Sequence, residues 1–306
     1  MNPAAAHGPS RRLAWAVIAR AALTAAPVVR ELMRTLEVEE AAARLVTGQA
    51  GPVDLPRDLR GGAERDLDRA AALGVRLVTR DDPEWPGPAG LADLDAPGVT
   101  GGSPVALWMR GTPRHSPLSQ FTVAVVGSRA ASDYGVHVTH DLAGDLAECG
   151  WTVISCGAFG IDAAAHRAAL NRGGRTIAVV ATGLGRAYPA AHRELFDRIA
   201  ETGLLISEYP PDTAAAKHHF VQRNRLVAAL ARALVIPESA IRGGTRNTAN
   251  WARQLNRPVF AIPGPVHSAA STGCHDLIRD GHARLVTDAQ QVIDDITSTP
   301  APPPLG

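Results

Sequence analysis

The chain has 306 residues, balances 31 Lys+Arg against 30 Asp+Glu, and is 45% hydrophobic. At roughly 100–200 residues per domain, this describes a globular chain with room for one large and one smaller domain, and excludes a disordered one. Cys149, Cys156 and Cys274 show neither CxxC nor Cys/His spacing, which argues against a disulfide framework or structural zinc and for a reducing compartment.

Near the start, Ser10-Arg11-Arg12 before LAWAVIA has the outline of a twin-arginine export signal. Arg20 interrupts the apolar stretch, and the pattern continues as an amphipathic helix through Leu23 and Val28. No apolar run reaches the roughly 20 residues of a membrane helix, so the expected location is cytoplasmic, with no membrane partner. Residues 11–50 carry helical periodicity, with Leu32, Leu36, Ala43 and Val46 as inward positions and Gly48 as a stop. Residues 1–80 are thus expected to form a small helical domain. Residues 81–120, rich in Pro, Gly and Asp, read as a linker region with one short strand at 105–109.

From Phe121 the apolar runs FTVAVVG, WTVIS, RTIAVVATG, LLISEY, ALVIPES, PVFAIPG and ARLV alternate with helical segments starting near Ser132, Ile161, Ala190, Gln222, Asn247 and Gly273. Near-continuous Val/Ile/Ala runs suit strands buried on both faces of a parallel sheet. Residues 121–290 therefore read as a doubly wound, mostly parallel α/β domain. The Pro-rich tail 291–306 is expected to be disordered.

Ligands of such sheets sit at the carboxyl ends of the strands. There the chain places Gly127-Ser128-Arg129, then Ser155, Gly157 and Gly160 around Cys156, and later Arg242-Gly243-Gly244-Thr245. Glycine admits a phosphate to the backbone, and helix N-termini offer free N–H groups. Neither GxGxxG nor GxxxxGK[ST] is present, which disfavours an NAD enzyme and a P-loop ATPase. Arg129 suits a backbone phosphate, with a structural ion pair as the alternative.

Residues 217–257 carry Lys217, Arg223, Arg225, Arg232, Arg242, Arg246, Arg253 and Arg257 against Glu238 alone. That density suits a polyanion, or else a basic patch in an Arg-rich chain. Lys217 is the only lysine of the 31 basic residues. Lys217, His218, His219, Phe220, Arg223, Asn224 and Arg225 are read as lying where the chain leaves a strand and enters a helix. Cations can track phosphates while Phe220 stacks on a base; the competing reading makes Phe220 a core residue and the histidines a solvated loop. Adjacent histidines do not suit one metal ion, and no metal or cofactor is expected. Ser155, Asp162 and His166 lie close together, but Asp162 reads as a helix cap and His166 as facing its helix, so no catalytic residue is assigned. Cys156 near a helix N-terminus would have a depressed pKa, but no base accompanies it.

The runs TVISCGAFGIDAAAH, ATGLGRAYPAAH, GLLISEYPP, Lys217-x-x-Phe220-x-x-Arg223-Asn224-Arg225 and PVFAIPG resemble the DNA-processing protein A family (DprA, also called Smf). The resemblance implies an extended Rossmann-like domain preceded by a small SAM-like helical domain. It also implies single-stranded DNA binding, a homodimer, loading of the RecA recombinase in natural transformation, and single-strand binding protein as a further partner. It places Gly127, Ser128, Arg129, Lys217 and Arg223 on phosphates, Phe220 on a base, and Asn224 and Arg225 in the pocket wall. Cys156 stands where the family usually has Gly, His275 where Asn is usual, and Gly243-Gly244-Thr245-Arg246 where Ser-Gly-Ser-Leu is usual. The rival class is a Rossmann-like nucleotide or phosphoribosyl hydrolase, whose PGGxGTxxE loop Gly243-Gly244-Thr245 echoes, but Thr248 and Ala249 stand where its catalytic glutamate is needed.

Overall fold

The computed structural model describes residues 9–86, 90–99, 101–112 and 121–298. Three helices come first, α1 (Pro9–Thr35), α2 (Val38–Val46) and α3 (Leu59–Ala72), followed by β1 (Arg76–Thr79) and β2 (Ala106–Gly111). Then come β3 (Thr122–Val125), α4 (Asp133–Glu148), β4 (Thr152–Ser155), α5 (Ile161–Asn171), β5 (Thr176–Val179), α6 (Arg193–Thr202) and β6 (Leu204–Ser207). The chain continues through α7 (Lys217–Ala229), β7 (Ala233–Ile236), α8 (Gly244–Gln254), β8 (Val259–Ala261), α9 (Thr272–Arg279), β9 (Arg284–Leu285) and α10 (Ala289–Ser298).

Every apolar run from Phe121 onward contains a strand. The sheet order is β1-β2-β6-β5-β4-β3-β7-β8-β9; β3 to β9 run parallel to one another, while β2 pairs antiparallel with β6 and with edge strand β1. β3 shows why its residues make a two-sided strand. Val123 and Val125 pack with Leu142 and Leu146 of α4, while Ala124 and Val126 pack on the other face with Leu226 and Leu230 from α7 and its C-terminal end. Successive side chains of a strand alternate between faces, so helices must cover both.

The N-terminal region departs from the expected plan. Val38, Ala41, Ala42 and Leu45 are the buried positions of α2, whereas Ala43 and Val46 are exposed and Leu32 and Leu36 only half-buried. The chain breaks between α1 and α2, which resets the helical phase. α1 bends at Ala25, two residues before Pro27, whose ring has no N–H to give and crowds the preceding turn. The helix is long and apolar enough to cross a membrane on composition, but half of that stretch is buried in the fold. Arg11 pairs with Asp81 at 2.8 Å, Arg12 pairs with Asp82 at 2.9 Å, and the Trp15 indole N–H donates to Asp81 at 2.6 Å. The two arginines thus dock α1 on the end of β1.

Trp15, Ile18 and Leu45 share one buried cluster with Trp108 of β2, Phe196 of α6 and Leu205 of β6. The helices therefore complete the core of the sheet. β1 has no counterpart in the sequence reading, and it joins the sheet together with β2, so the described residues of 81–111 contribute sheet and core as well as linker. Leu91 and Leu94 are buried against the α7 side of the sheet. At the other end, 291–298 belongs to α10, in contrast to the expected disordered tail; Ala289, Val292 and Ile296 form the helical stripe buried in the α4 core. The rest of the tail, from 299, lies outside the described residues.

Candidate nucleic-acid interface

The strand order reverses direction at β3, whose neighbours are β4 and β7, and crevices open beyond the carboxyl ends of strands at such points. A cleft of about 780 Å³ lies there. Its framework is backbone. A Cβ on Gly127 would come within 2.5 Å of the Glu238 carbonyl oxygen, so only glycine lets the β3 exit lie against the β7 exit. The Ser128 N–H donates to that carbonyl at 2.9 Å, and the Ser128 carbonyl accepts from the Ile161 N–H at 3.1 Å. The Glu238 carboxylate in turn accepts from the N–H and hydroxyl of Ser132, which caps α4. Three strand exits are thereby tied together, and Arg129 is left exposed on the cleft.

α7 supplies the facing wall. It begins at Lys217 rather than near Gln222: after the turn at Pro210-Pro211 the chain runs without helix over 213–216, and extended Ala216 stands at the N-cap. Lys217, Phe220 and Asn224 therefore stack at i, i+3 and i+7 along the cleft. Phe220 is half-buried and belongs to none of the three core clusters. Its ring lies 5.3 Å from that of half-exposed Tyr188, and the Arg129 guanidinium sits 5.5 Å from its centroid. Arg129 thus faces an aromatic ring and, among the described residues, has no carboxylate partner.

The floor is Arg223, buried, with its guanidinium donating to the Cys156 carbonyl at 2.8 Å and to the Val179 carbonyl. Asn224 donates to the Asn247 side chain at 3.1 Å. α8 begins at Gly244, earlier than Asn247, and its N-cap Gly243 gives no side-chain cap; a Cβ on Gly243 or Gly244 would meet only open space. Ala216 leaves α7 uncapped in the same way. Two helix N-termini with free N–H groups therefore line the cleft, an arrangement suited to anions.

Of the residues singled out from the sequence, Gly127, Ser128, Arg129, Lys217, Phe220, Arg223, Asn224, Arg242, Gly243, Gly244 and Thr245 line this cleft. Four do not. Ser155 is buried and donates to the Val125 carbonyl at 2.7 Å. Gly157 and Gly160 have φ of +73° and +71°, and a Cβ on Gly160 would lie 2.2 Å from the Ser128 carbonyl, so these glycines let the β4–α5 loop pack beneath the cleft. Arg225 turns away to pair with Glu208 at 2.6 Å and to donate to the Gly102 carbonyl at 3.1 Å.

Tyr188 and Asp162 line the cleft without having been assigned to it. Tyr188 follows no strand directly, and Asp162, at the start of α5, reads as a helix cap from sequence. The Asp162 carboxylate is held by the N–H groups of Ala158 and Gly127. Burial pushes it above the ordinary carboxylate range, against the opposing pull of Arg223. It is the one carboxylate among the described lining residues, against four cations, Arg129, Lys217, Arg223 and Arg242. Burial also pushes the Cys156 thiol up to about 12, opposite to the expected depression. His166 bonds Thr176 at 2.6 Å and is fully buried. His219 stacks on Tyr209 with centroids 3.9 Å apart, while His218 is exposed.

A model of the family described as DNA recombination-mediator protein A matches residues 76–297. A DNA processing protein DprA of Mycobacterium tuberculosis is 47% identical over 292 residues, which cover 92% of this chain and 74% of that one. Among solved structures, DprA of Streptococcus pneumoniae aligns with a TM-score of 0.69 at 32% identity, over 90% of this chain and 93% of that one. DprA of Helicobacter pylori, studied for its single-stranded DNA binding mode, aligns with a TM-score of 0.58 at 30% identity, over 64% of this chain and 88% of that one. The DNA-processing fold and the cation-lined cleft at its switch point thus sit in a chain that belongs to the DNA recombination-mediator protein A family.

Proposed function

We propose that the cleft binds single-stranded DNA. The observation that carries this reading is the pairing of four cations and two uncapped helix N-termini with the Phe220–Tyr188 ring pair in one cleft. Arg129, Lys217 and Arg242 take backbone phosphates, Gly127, Ser128, Gly243, Gly244 and Thr245 admit them to the backbone, and the ring pair takes an unstacked base. A duplex keeps its bases stacked and has no face to offer these rings. Titration of labelled single- and double-stranded oligonucleotides over a range of salt tests the reading. Tighter binding of the single strand, weakening steeply with salt, supports it; duplex preference or salt-independent binding refutes it.

On this reading the protein acts in the cytoplasm as a homodimer without catalysis. Two linked clefts raise effective concentration along one strand, and the bound strand is presented to RecA, including strands coated by single-strand binding protein, during transformation and recombination. The Asp162 carboxylate is occupied by the N–H groups of Ala158 and Gly127, which gives it a structural task in the β4–α5 loop rather than a base's. The assay is RecA filament formation on coated single-stranded DNA. Stimulation that disappears with Arg129→Ala supports the loader. Absence of stimulation together with hydrolysis of a nucleotide substrate favours the phosphoribosyl hydrolase class instead.

A further inference from the structure

The exposed face of α8 continues outward from the cleft. Arg242 stands on the cleft wall just before the helix, and Arg246, Asn250 and Arg253 follow at i, i+4 and i+7, all exposed. Residues at these spacings share one helix face, and at 1.5 Å rise per residue Arg246 and Arg253 lie about 10 Å apart along the axis. Neither α7 nor α8 contains an acidic residue.

The other guanidiniums of this segment are committed elsewhere. Arg225 pairs with Glu208 and Arg257 with Asp93, while Arg223 and Arg232 donate to backbone carbonyls. Arg242, Arg246 and Arg253 have no carboxylate partner among the described residues. Exposed guanidiniums about 10 Å apart repel each other only weakly in salt, but a row of them without carboxylates leaves a positive stripe that attracts a polyanion. Here the row starts where the cations and helix N-termini of the cleft end.

We infer that the α8 face is a phosphate track on which a single strand continues after leaving the cleft, an inference that rests on the cleft being a single-stranded DNA site. Arg246 and Arg253 hold successive stretches of backbone phosphate, and the Asn250 amide donates between them. The contacts read no bases, so the track lengthens the footprint and adds affinity regardless of sequence. Continuity with the cleft favours nucleic acid over an acidic protein as the occupant.

The test compares the parent with R246Q/R253Q, using oligo-dT of six and of twenty nucleotides at several salt concentrations. Both side chains are exposed, so the variant is expected to melt with the parent. Six-nucleotide binding should be unchanged, whereas the twenty-nucleotide affinity should fall roughly tenfold and its log–log salt slope by about 1.4, two contacts at about 0.7 each. R246K/R253K should keep most of the affinity. Parent-like binding of both lengths overturns the track, as does equal loss at both lengths, which would place the arginines in the field of the cleft itself. Parent-like DNA binding with lost binding of polyglutamate overturns it in favour of an acidic protein partner. If the parent binds neither oligonucleotide, the cleft reading itself fails.

Discussion

Phe220 separates recognition from packing, because truncating it and reshaping it should have different consequences. In Phe220→Ala the protein loses the ring pair with Tyr188, worth about 0.5–1.5 kcal/mol, and the Arg129 contact, about 0.5–1 kcal/mol at an exposed site. The ring lies outside the three core clusters, so no sealed cavity is created. The expected stability loss is therefore about 1–2.5 kcal/mol, against roughly 3–5 kcal/mol for a core phenylalanine. A stacked base contributes about 1–3 kcal/mol, which at 1.4 kcal/mol per tenfold corresponds to roughly 5- to 150-fold in affinity. Phe220→Leu keeps apolar bulk but has no flat face, so it should lose most of that affinity while its stability loss is no larger than that of Phe220→Ala. Fluorescence anisotropy with a labelled single strand measures the first quantity and denaturant titration the second. Parent-like affinity in Phe220→Leu, or a loss above 3 kcal/mol in Phe220→Ala with affinity retained in the folded fraction, would refute the stacking argument.

Arg129→Ala and Lys217→Ala should each weaken single-strand binding similarly for all sequences and lower the salt slope by about 0.7, read from titrations at several salt concentrations. Gly160→Ala should destabilise by about 1–3 kcal/mol by denaturant titration, because φ is +71° and its Cβ would meet the Ser128 carbonyl. Gly243→Ala, at φ 168° with open space around it, should stay within about 0.5 kcal/mol of the parent yet weaken DNA binding by crowding the phosphate. His166 should impose acid lability. The Thr176 hydroxyl donates to the Val153 carbonyl, so His166 Nδ1 carries the proton and its buried Nε2 has no partner to receive a second one. Burial lowers the His166 pKa from 6.5 to about 3. Above pH 6.5 folded and unfolded chains are both neutral there and the stability contribution is complete. As pH falls from 6.5 toward 3 only the unfolded chain takes up the proton, and stability drops by up to about 1.4 kcal/mol per pH unit. His166→Asn should flatten that slope in denaturant titrations at pH 4–7, and an unchanged slope would refute the assignment.

The doubly wound domain was legible because a strand covered on both faces has no place for polar residues, so FTVAVVG or ALVIPES announces itself without partners. The glycine-rich strand exits were legible too, since close backbone approach needs glycine wherever it occurs. Phase and distance were less accessible. The inward face of α2 depended on where the chain breaks after α1, which placed Val38 and Leu45 inside and Val46 outside. Short β1 offers only four residues, and its strand character comes from pairing with β2.

Charge shows the division most clearly. The sequence by itself determined that 217–257 is crowded with cations and carries Phe220 among them, but the early start of α7 is what put Lys217, Phe220 and Asn224 on one helix. Nor did the sequence determine which cations are available. Arg223 and Arg225 are two residues apart, about 200° around a helix, so one floors the cleft and the other pairs with Glu208 on the opposite side. Arg257 is neutralised by Asp93, 164 residues earlier, and Arg129 meets Phe220 only because α7 folds across the β3 exit. Local pattern records which groups the chain carries. Which of them are neutralised, and which face one cleft, was decided by contacts between distant segments, and those exist only in the folded structure.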